Sequence, residues 1–372
     1  RMSHWSWLTV SLLLFSETLV LAVIMMPGGM KLGKRKGFVA HPGGRHIHEE
    51  STPTLGGVVI VGSFLTVVVG NILLAWLAAP VLQRIVPEVG RFLPNIPSRL
   101  SQIGAIILGA MVMFVLGLVD DRNALGPKFK LTVQVLAALL LVAAGIRIRG
   151  FLPWPWVGVA ATVFWIIFIT NAFNFLDNMD GLSGGVALIC SVAFALNAFF
   201  AGEWFVAAIF FALVGSLLGF LRFNFFPAKV FMGDNGSLFI GYLIAALSVV
   251  ATFYEPDAPT IWPVLTPVII LGVPIFDSVS VLWIRLREGR PLMQGDKYHF
   301  SHRLTDLGMS RRRAVTFIYI ITAAVALAAI PLRTANSVGA LAILVQTVLV
   351  FAIIYRIERR AKRLKAGEIS PE

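Results

Sequence analysis

Cysteine is almost missing from this chain: Cys190 is the only one in 372 residues. That excludes an intrachain disulfide and any metal site built from several thiolates. Its neighbours are small and apolar, so it reads as a packed core thiol. Charge is scarce as well. Asp, Glu, Lys and Arg make up only 13% of the residues, about half the share of an ordinary soluble domain. No internal repeat is apparent, which weakens any transporter built on inverted repeats. Alternating strands of about ten residues are also missing, which argues against a membrane barrel.

What the chain has is hydrophobic length. Hydrophobic residues make up 58% of it, and apolar runs of about 20 residues recur from end to end, each matching the bilayer core. The sequence therefore reads as all-α, a polytopic integral membrane protein with about eleven transmembrane helices. The spans fall near 4–26, 54–79, 101–119, 130–146, 155–172, 181–201, 203–221, 236–253, 262–284, 313–331 and 335–356. No cleavable signal peptide and no separate soluble domain are read; residues 1–372 form one transmembrane domain.

All but seven of the 31 Lys and Arg lie on one side of these spans. The seven are Arg1, Arg84, Arg91, Arg99, Arg147, Arg149 and Arg333. The positive-inside rule then puts the N-terminus outside and the C-terminus in the cytoplasm. The cytoplasmic loops are about 27–53, 120–130, 172–181, 222–236 and 285–312, followed by a basic tail, 357–372. The run RIERRAKRLK in that tail suits anionic lipid headgroups. Spread over membrane-edge loops in this way, the basic excess gives no reason to expect nucleic acid.

Against this apolar background, five aspartates stand at the mouths of spans on the cytoplasmic side: Asp120, Asp121, Asp177, Asp180 and Asp234. Acids so placed point to a metal and phosphate site. In NAFNFLDNMDGLSGG, residues Asn171, Asn174, Asp177 and Asp180 are spaced by three, which on a helical turn stacks them on one face. In FNFFPAKVFMGDNGS, Asp234 is flanked by Gly233 and followed by Ser237, a hard oxygen ligand on a flexible turn that suits Mg²⁺. Phe231 could stack on a base. In LVDDRNALGPKFK, the adjacent like charges of Asp120 and Asp121 tend to raise one pKa, and Lys128 and Lys130 could neutralise phosphate.

Three further segments are weaker alone. GDKYHFSHRL brings His299, His302 and Arg303 together. Two histidines three apart could bind zinc, but further ligands are missing locally, and phosphate binding is more economical. HPGGRHIHEESTPTLGG carries Arg45, His48 and Thr54, which suit phosphate or substrate better than metal. Within span 9, Asp277 beside Pro274 reads as a buried acid paired to Arg285. A secondary transporter is the rival class and would use Glu17 and Asp277, but the other acids lie at one face rather than near the midplane. A polyprenyl synthase would need DDxxD, where this chain has DDRNA.

In order and spacing these motifs resemble the polyprenyl-phosphate N-acetylhexosamine-1-phosphate transferases of bacterial membranes, in glycosyltransferase family 4. The resemblance covers nearly the whole length. It rests on Asp120–Asp121, on Asn171 to Gly181, on Pro227 to Ser237, on His299 to Leu304 and on Thr52 to Gly57. It implies that a polyprenyl phosphate, usually undecaprenyl phosphate, attacks the β-phosphorus of a UDP-N-acetylhexosamine and that UMP leaves. It also implies Mg²⁺, with Mn²⁺ as the alternative, and a bacterial cytoplasmic membrane with the site on its cytoplasmic face.

By the match, Asp234 is a metal ligand and Asn174 a second. Asp120 is the base or orients the lipid phosphate, with Asp121 beside it. Asp177 and Asp180 line the nucleotide end, and Phe231 stacks on uracil. His299, His302 and Arg303 hold the donor diphosphate. The chain departs from the family at Ser301, where a histidine is common, and at Asn178, where glycine is. Glu49 and Glu50 before the TPT turn, with the HFSHRL loop, favour UDP-GlcNAc over the phospho-muramoyl-pentapeptide donor of peptidoglycan synthesis. A homodimer is an open alternative to a monomer.

Overall fold

The structure is a computed structural model, and the residues described are 4–40, 52–85, 96–148, 154–251, 261–291 and 298–365. The chain is all-α. Apolar runs fold as helices because, in hydrocarbon, each backbone N–H and C=O needs a partner within its own segment. Among the described residues nine helices are long and apolar enough to cross a membrane, ten if one bent pair counts as a span. The eleventh expected span is the 17-residue helix Pro127–Ala143. Two compact units form, Arg1–Thr252 and Phe253–Glu372.

The first unit opens with α1 (His4–Lys36), a two-residue hairpin of β1 (Val39–Ala40) and β2 (Thr52–Pro53), α2 (Gly56–Leu77) and α3 (Ala79–Ile85). It continues with α4 (Ile96–Arg122), α5 (Pro127–Ala143), α6 (Pro155–Leu176), α7 (Leu182–Phe200), α8 (Trp204–Asn224) and α9 (Gly233–Val250). β1 and β2 run antiparallel, with Val39 opposite Pro53. α9 is the hub, packed against α2, α4, α6 and α7. A Cβ on Gly117 of α4 would sit 2.3 Å from the Asp234 backbone. That missing side chain lets α4 and α9 approach closely, the small-residue packing usual between membrane helices.

The expected boundaries shift in informative ways. α1 runs ten residues past its expected end, through Pro27 to Lys36. At 33 residues it spans about 50 Å, well beyond the bilayer core. α4 continues through Asp120 and Asp121 to Arg122, so the pair sits in a last helical turn rather than a loop. The period-three block does not form one helical face. α6 ends at Leu176, Asp177 caps it, and Gly181 at φ 76° starts α7. Glu17 accepts from Asn71 Nδ2 at 2.7 Å, a tie between α1 and α2.

The second unit holds a short 3₁₀ turn, α10 (Thr266–Ile270), α11 (Gly272–Arg287), α12 (Phe300–Asp306), α13 (Arg311–Ala328), a 3₁₀ turn at Ile330–Arg333, and α14 (Ser337–Lys365). The expected single span 262–284 is broken, with a 72° bend between Trp262–Ile270 and Gly272–Arg287. Pro274 supplies the reason. It has no N–H for the carbonyl four residues back, Ile270, the last residue of α10. Phe276 of α11 stacks on Phe351 of α14 at 4.9 Å.

Candidate active site

Three helix ends of the first unit meet around Asp234. Gly233, at φ 74°, turns the chain into α9, and Asp234 follows in its first turn. Lys130 of α5 donates to Asp120 Oδ2 at 2.7 Å and lies 3.5 Å from Asp234 Oδ2. Its ammonium thus stands between two carboxylates from α4 and α9. Asn174 of α6 donates to Asp234 Oδ1 and to Ser237 Oγ, both at 2.9 Å. Asp120 also accepts the Leu125 amide at 2.7 Å, which folds the short link between α4 and α5 over it.

Asp121 is used differently. Its carboxylate accepts the Asp234 amide at 2.8 Å, the Asn235 amide at 3.1 Å and the Asn235 side-chain amide. It therefore caps the N-terminus of α9, whose first N–H groups have no partner within the helix. Asp120 and Asp121 are neighbours in sequence but face different work.

Burial, together with the charges of Asp234, Asp121 and Asp180, pushes the Asp177 carboxyl well above the usual aspartate range. Asp180 accepts the Ala228 amide at 3.0 Å and so ties the α6–α7 turn to the segment before α9. The two motif segments are tied again at Asn224, which accepts from Gly181 N at 3.0 Å and donates to Val230 O at 2.8 Å. Asn171, the first residue of the block, lies outside this group and pairs with Gln134 of α5 at 2.7 Å.

The TPT turn joins through its backbone. Phe231 N donates to Pro53 O at 2.8 Å, Gly56 N to Phe231 O and Gly57 N to Met232 O, both at 2.9 Å. Thr54 O accepts the Asn235 side chain at 3.2 Å. The Phe231 side chain is half-buried. Arg45 and His48 lie outside the described residues.

In the second unit the histidine loop is turned inward. His299 Nδ1 lies 2.9 Å from Asp277 Oδ2, and Asp277 also accepts the Phe300 amide. Asp277, expected to pair with Arg285, gives both oxygens to this loop. Arg303 donates to Glu358 and to the Tyr298 carbonyl, while His302 is half-buried in the first turn of α12.

Sequence reasoning missed Asn224, Asn235, Asp277's partner and Glu358. The usable signal was polarity out of place: an amide within an apolar helix end, or one acid inside a basic run. Among the described residues no group of three or more His, Cys, Asp or Glu is set to hold a metal ion. The set at hand is two carboxylates, Asp120 and Asp234, already sharing one cation, with an amide beside them. Hard oxygen donors of that number fit Mg²⁺, which takes one or two carboxylates and completes its shell with water and substrate phosphate.

Carboxylates, a lysine and an amide gathered at adjoining helix ends of a helical membrane protein have the chemistry that suits phosphate and a divalent cation. Residues 103–252 match the family model described as glycosyl transferase family 4. The chain is 33% identical over 330 residues to a probable undecaprenyl-phosphate N-acetylglucosaminyl 1-phosphate transferase of Bacillus subtilis, covering 87% of this chain and 85% of that one. It is 32% identical to a decaprenyl-phosphate N-acetylglucosaminephosphotransferase of Mycobacterium tuberculosis, over 80% and 76% of the two chains. An undecaprenyl-phosphate alpha-N-acetylglucosaminyl 1-phosphate transferase of Escherichia coli K12 is 27% identical, over 81% and 77%. The chain belongs to glycosyl transferase family 4.

Proposed function

We propose that this protein transfers N-acetylglucosamine 1-phosphate from UDP-N-acetylglucosamine to a polyprenyl phosphate, releasing UMP and starting the synthesis of a cell-envelope polysaccharide. The observation that carries the reading is the shared Lys130 contact of Asp120 and Asp234, in a chain whose relatives are named for this transfer. A phosphate oxygen of the lipid attacks the sugar-bearing phosphorus of the donor. One P–O bond forms, the bond to the UMP phosphate breaks, and the product is a lipid-linked sugar diphosphate.

The residues do mostly electrostatic and positioning work, as in-line phosphoryl chemistry demands. Lys130 offers its ammonium to the lipid phosphate. Asp120, held by Leu125 N and Lys130, accepts any proton that phosphate still carries and fixes its approach. Asp121 keeps α9 in place so that Asp234 points at its partners. Asp234 and Asn174 would hold Mg²⁺, with Mn²⁺ as the alternative. When bound, the ion would cancel charge between the two polyanions and on the leaving phosphate. Asp177 and Asp180 stand toward the nucleotide end with Phe231, and His302 and Arg303 hold the donor diphosphate.

The bacterial relatives favour a bacterial cytoplasmic membrane, and the distribution of Lys and Arg favours placing this chemistry on its cytoplasmic face. One assay tests the reading: purified protein, a panel of UDP-sugars, a short polyprenyl phosphate, and the product mass. The expected product carries GlcNAc and two phosphates; a panel without product overturns the reading.

A further inference from the structure

The histidine loop hangs on two acids from two other helices. α12 has seven residues, two turns, too short to hold itself. On one side stands Asp277 of α11, fully buried, bound to His299 and to the Phe300 amide. On the other stands Glu358 of α14, within the basic run RIERRAKRLK. That run reads as a lipid-facing tail, yet Glu358 turns inward, and its side chain is only 11% exposed. Both its oxygens meet Arg303 Nε, at 3.1 and 3.2 Å.

Arg303 is over-determined by these contacts. Nη1 donates to the Tyr298 carbonyl at 2.6 Å and Nη2 to Ser280 Oγ at 2.9 Å. The guanidinium lies 6.0 Å from the Phe276 ring and 5.8 Å from the Phe300 ring. A guanidinium has five N–H groups. These bonds use the one on Nε and one on each terminal nitrogen. One N–H remains on each terminal nitrogen, and each suits a phosphate oxygen. Glu358 thus holds the guanidinium at Nε.

We propose that Glu358 is a positioning residue of the transfer reaction: by gripping Arg303 it sets the fork that receives the donor diphosphate, which makes the C-terminal helix part of the donor-binding apparatus. The proposal rests on the reading that Arg303 holds that diphosphate. A plain structural tie between α12 and α14 would show itself in stability alone.

The test uses the full-length protein with UDP-GlcNAc and a short polyprenyl phosphate. Steady-state constants for both substrates and the melting temperature are measured for Glu358→Gln, Glu358→Ala, Arg303→Ala and the double variant Glu358→Ala/Arg303→Ala. Misplacing such a group raises donor KM between about tenfold and 100-fold, with lipid KM unchanged, less for Glu358→Gln than for Glu358→Ala. The double variant is no worse than Arg303→Ala, because Glu358 acts through that residue. Glu358→Gln, which keeps the size of the side chain, carries the test if the alanine variant does not fold. An unchanged donor KM in a folded Glu358 variant, with Arg303→Ala impaired, overturns the proposal and spares the functional reading. An unchanged donor KM in Arg303→Ala overturns the diphosphate role and the proposal with it. Losses that multiply in the double variant, or a fall in melting temperature alone, also overturn it.

Discussion

The carboxylate of Asp121 receives the backbone N–H of Asp234 at 2.8 Å. One acid of the motif set therefore holds the helix that carries another. With the Asn235 amides added, three donors depend on Asp121. Asp121→Ala strands them, and leaving buried donors unbonded costs about 3 kcal/mol in all. Asp120→Asn keeps an oxygen for the Leu125 amide and leaves Lys130 its second carboxylate, Asp234, so it destabilises less than Asp121→Ala while turnover is lost. Denaturation in detergent, run beside the assay, checks both. Equal destabilisation of the two variants would remove the division of labour.

Asp234→Ala is expected to abolish Mg²⁺-dependent UMP release, by about 10³-fold or more. Mn²⁺ binding followed by electron paramagnetic resonance gives a second readout, with the signal of bound ion lost in the variant. Retained turnover would rule out Asp234 as a ligand.

Asp177 ties pH to stability. Burial and three neighbouring carboxylates hold its carboxyl above the usual range, so the folded state binds a proton that the unfolded chain releases. That contribution is full below the ordinary aspartate pKa and disappears as pH rises through the folded value. In chelator at about pH 8, Asp177→Asn should melt higher than the native chain, while at about pH 4 the two should melt alike. A variant that melts lower at the higher pH contradicts the charge argument.

The membrane topology has its own check. With Cys190 replaced by serine, single cysteines at Gly150 and Gly295 should label from opposite faces with a membrane-impermeant reagent. Labelling from one face would break the span count.

Much of the site was legible because its polar residues interrupt apolar runs at helix ends. Asp120, Asp234, Asn174 and Lys130 could be picked out that way, and the structure gathers them. Their division of labour was hidden. Asp120 and Asp121 look alike along the chain, and only the partner 113 residues on separates them. The same holds for Arg303 and Glu358, 55 residues apart. The broken span was half visible: Pro274 announced a kink, but the 72° turn depends on how the two pieces pack. α1 outran its expected end because helix formation does not stop where hydrophobicity does.

The distance between Asp121 and its donors also fixes an order of assembly. At the usual pace of translation, on the order of ten seconds separate the emergence of Asp121 from that of residues 234 and 235. Through that interval the half-made chain holds a carboxylate with no helix to cap. The carboxylate cluster closes only once α9 has been made, and α12, which carries Arg303, follows later still.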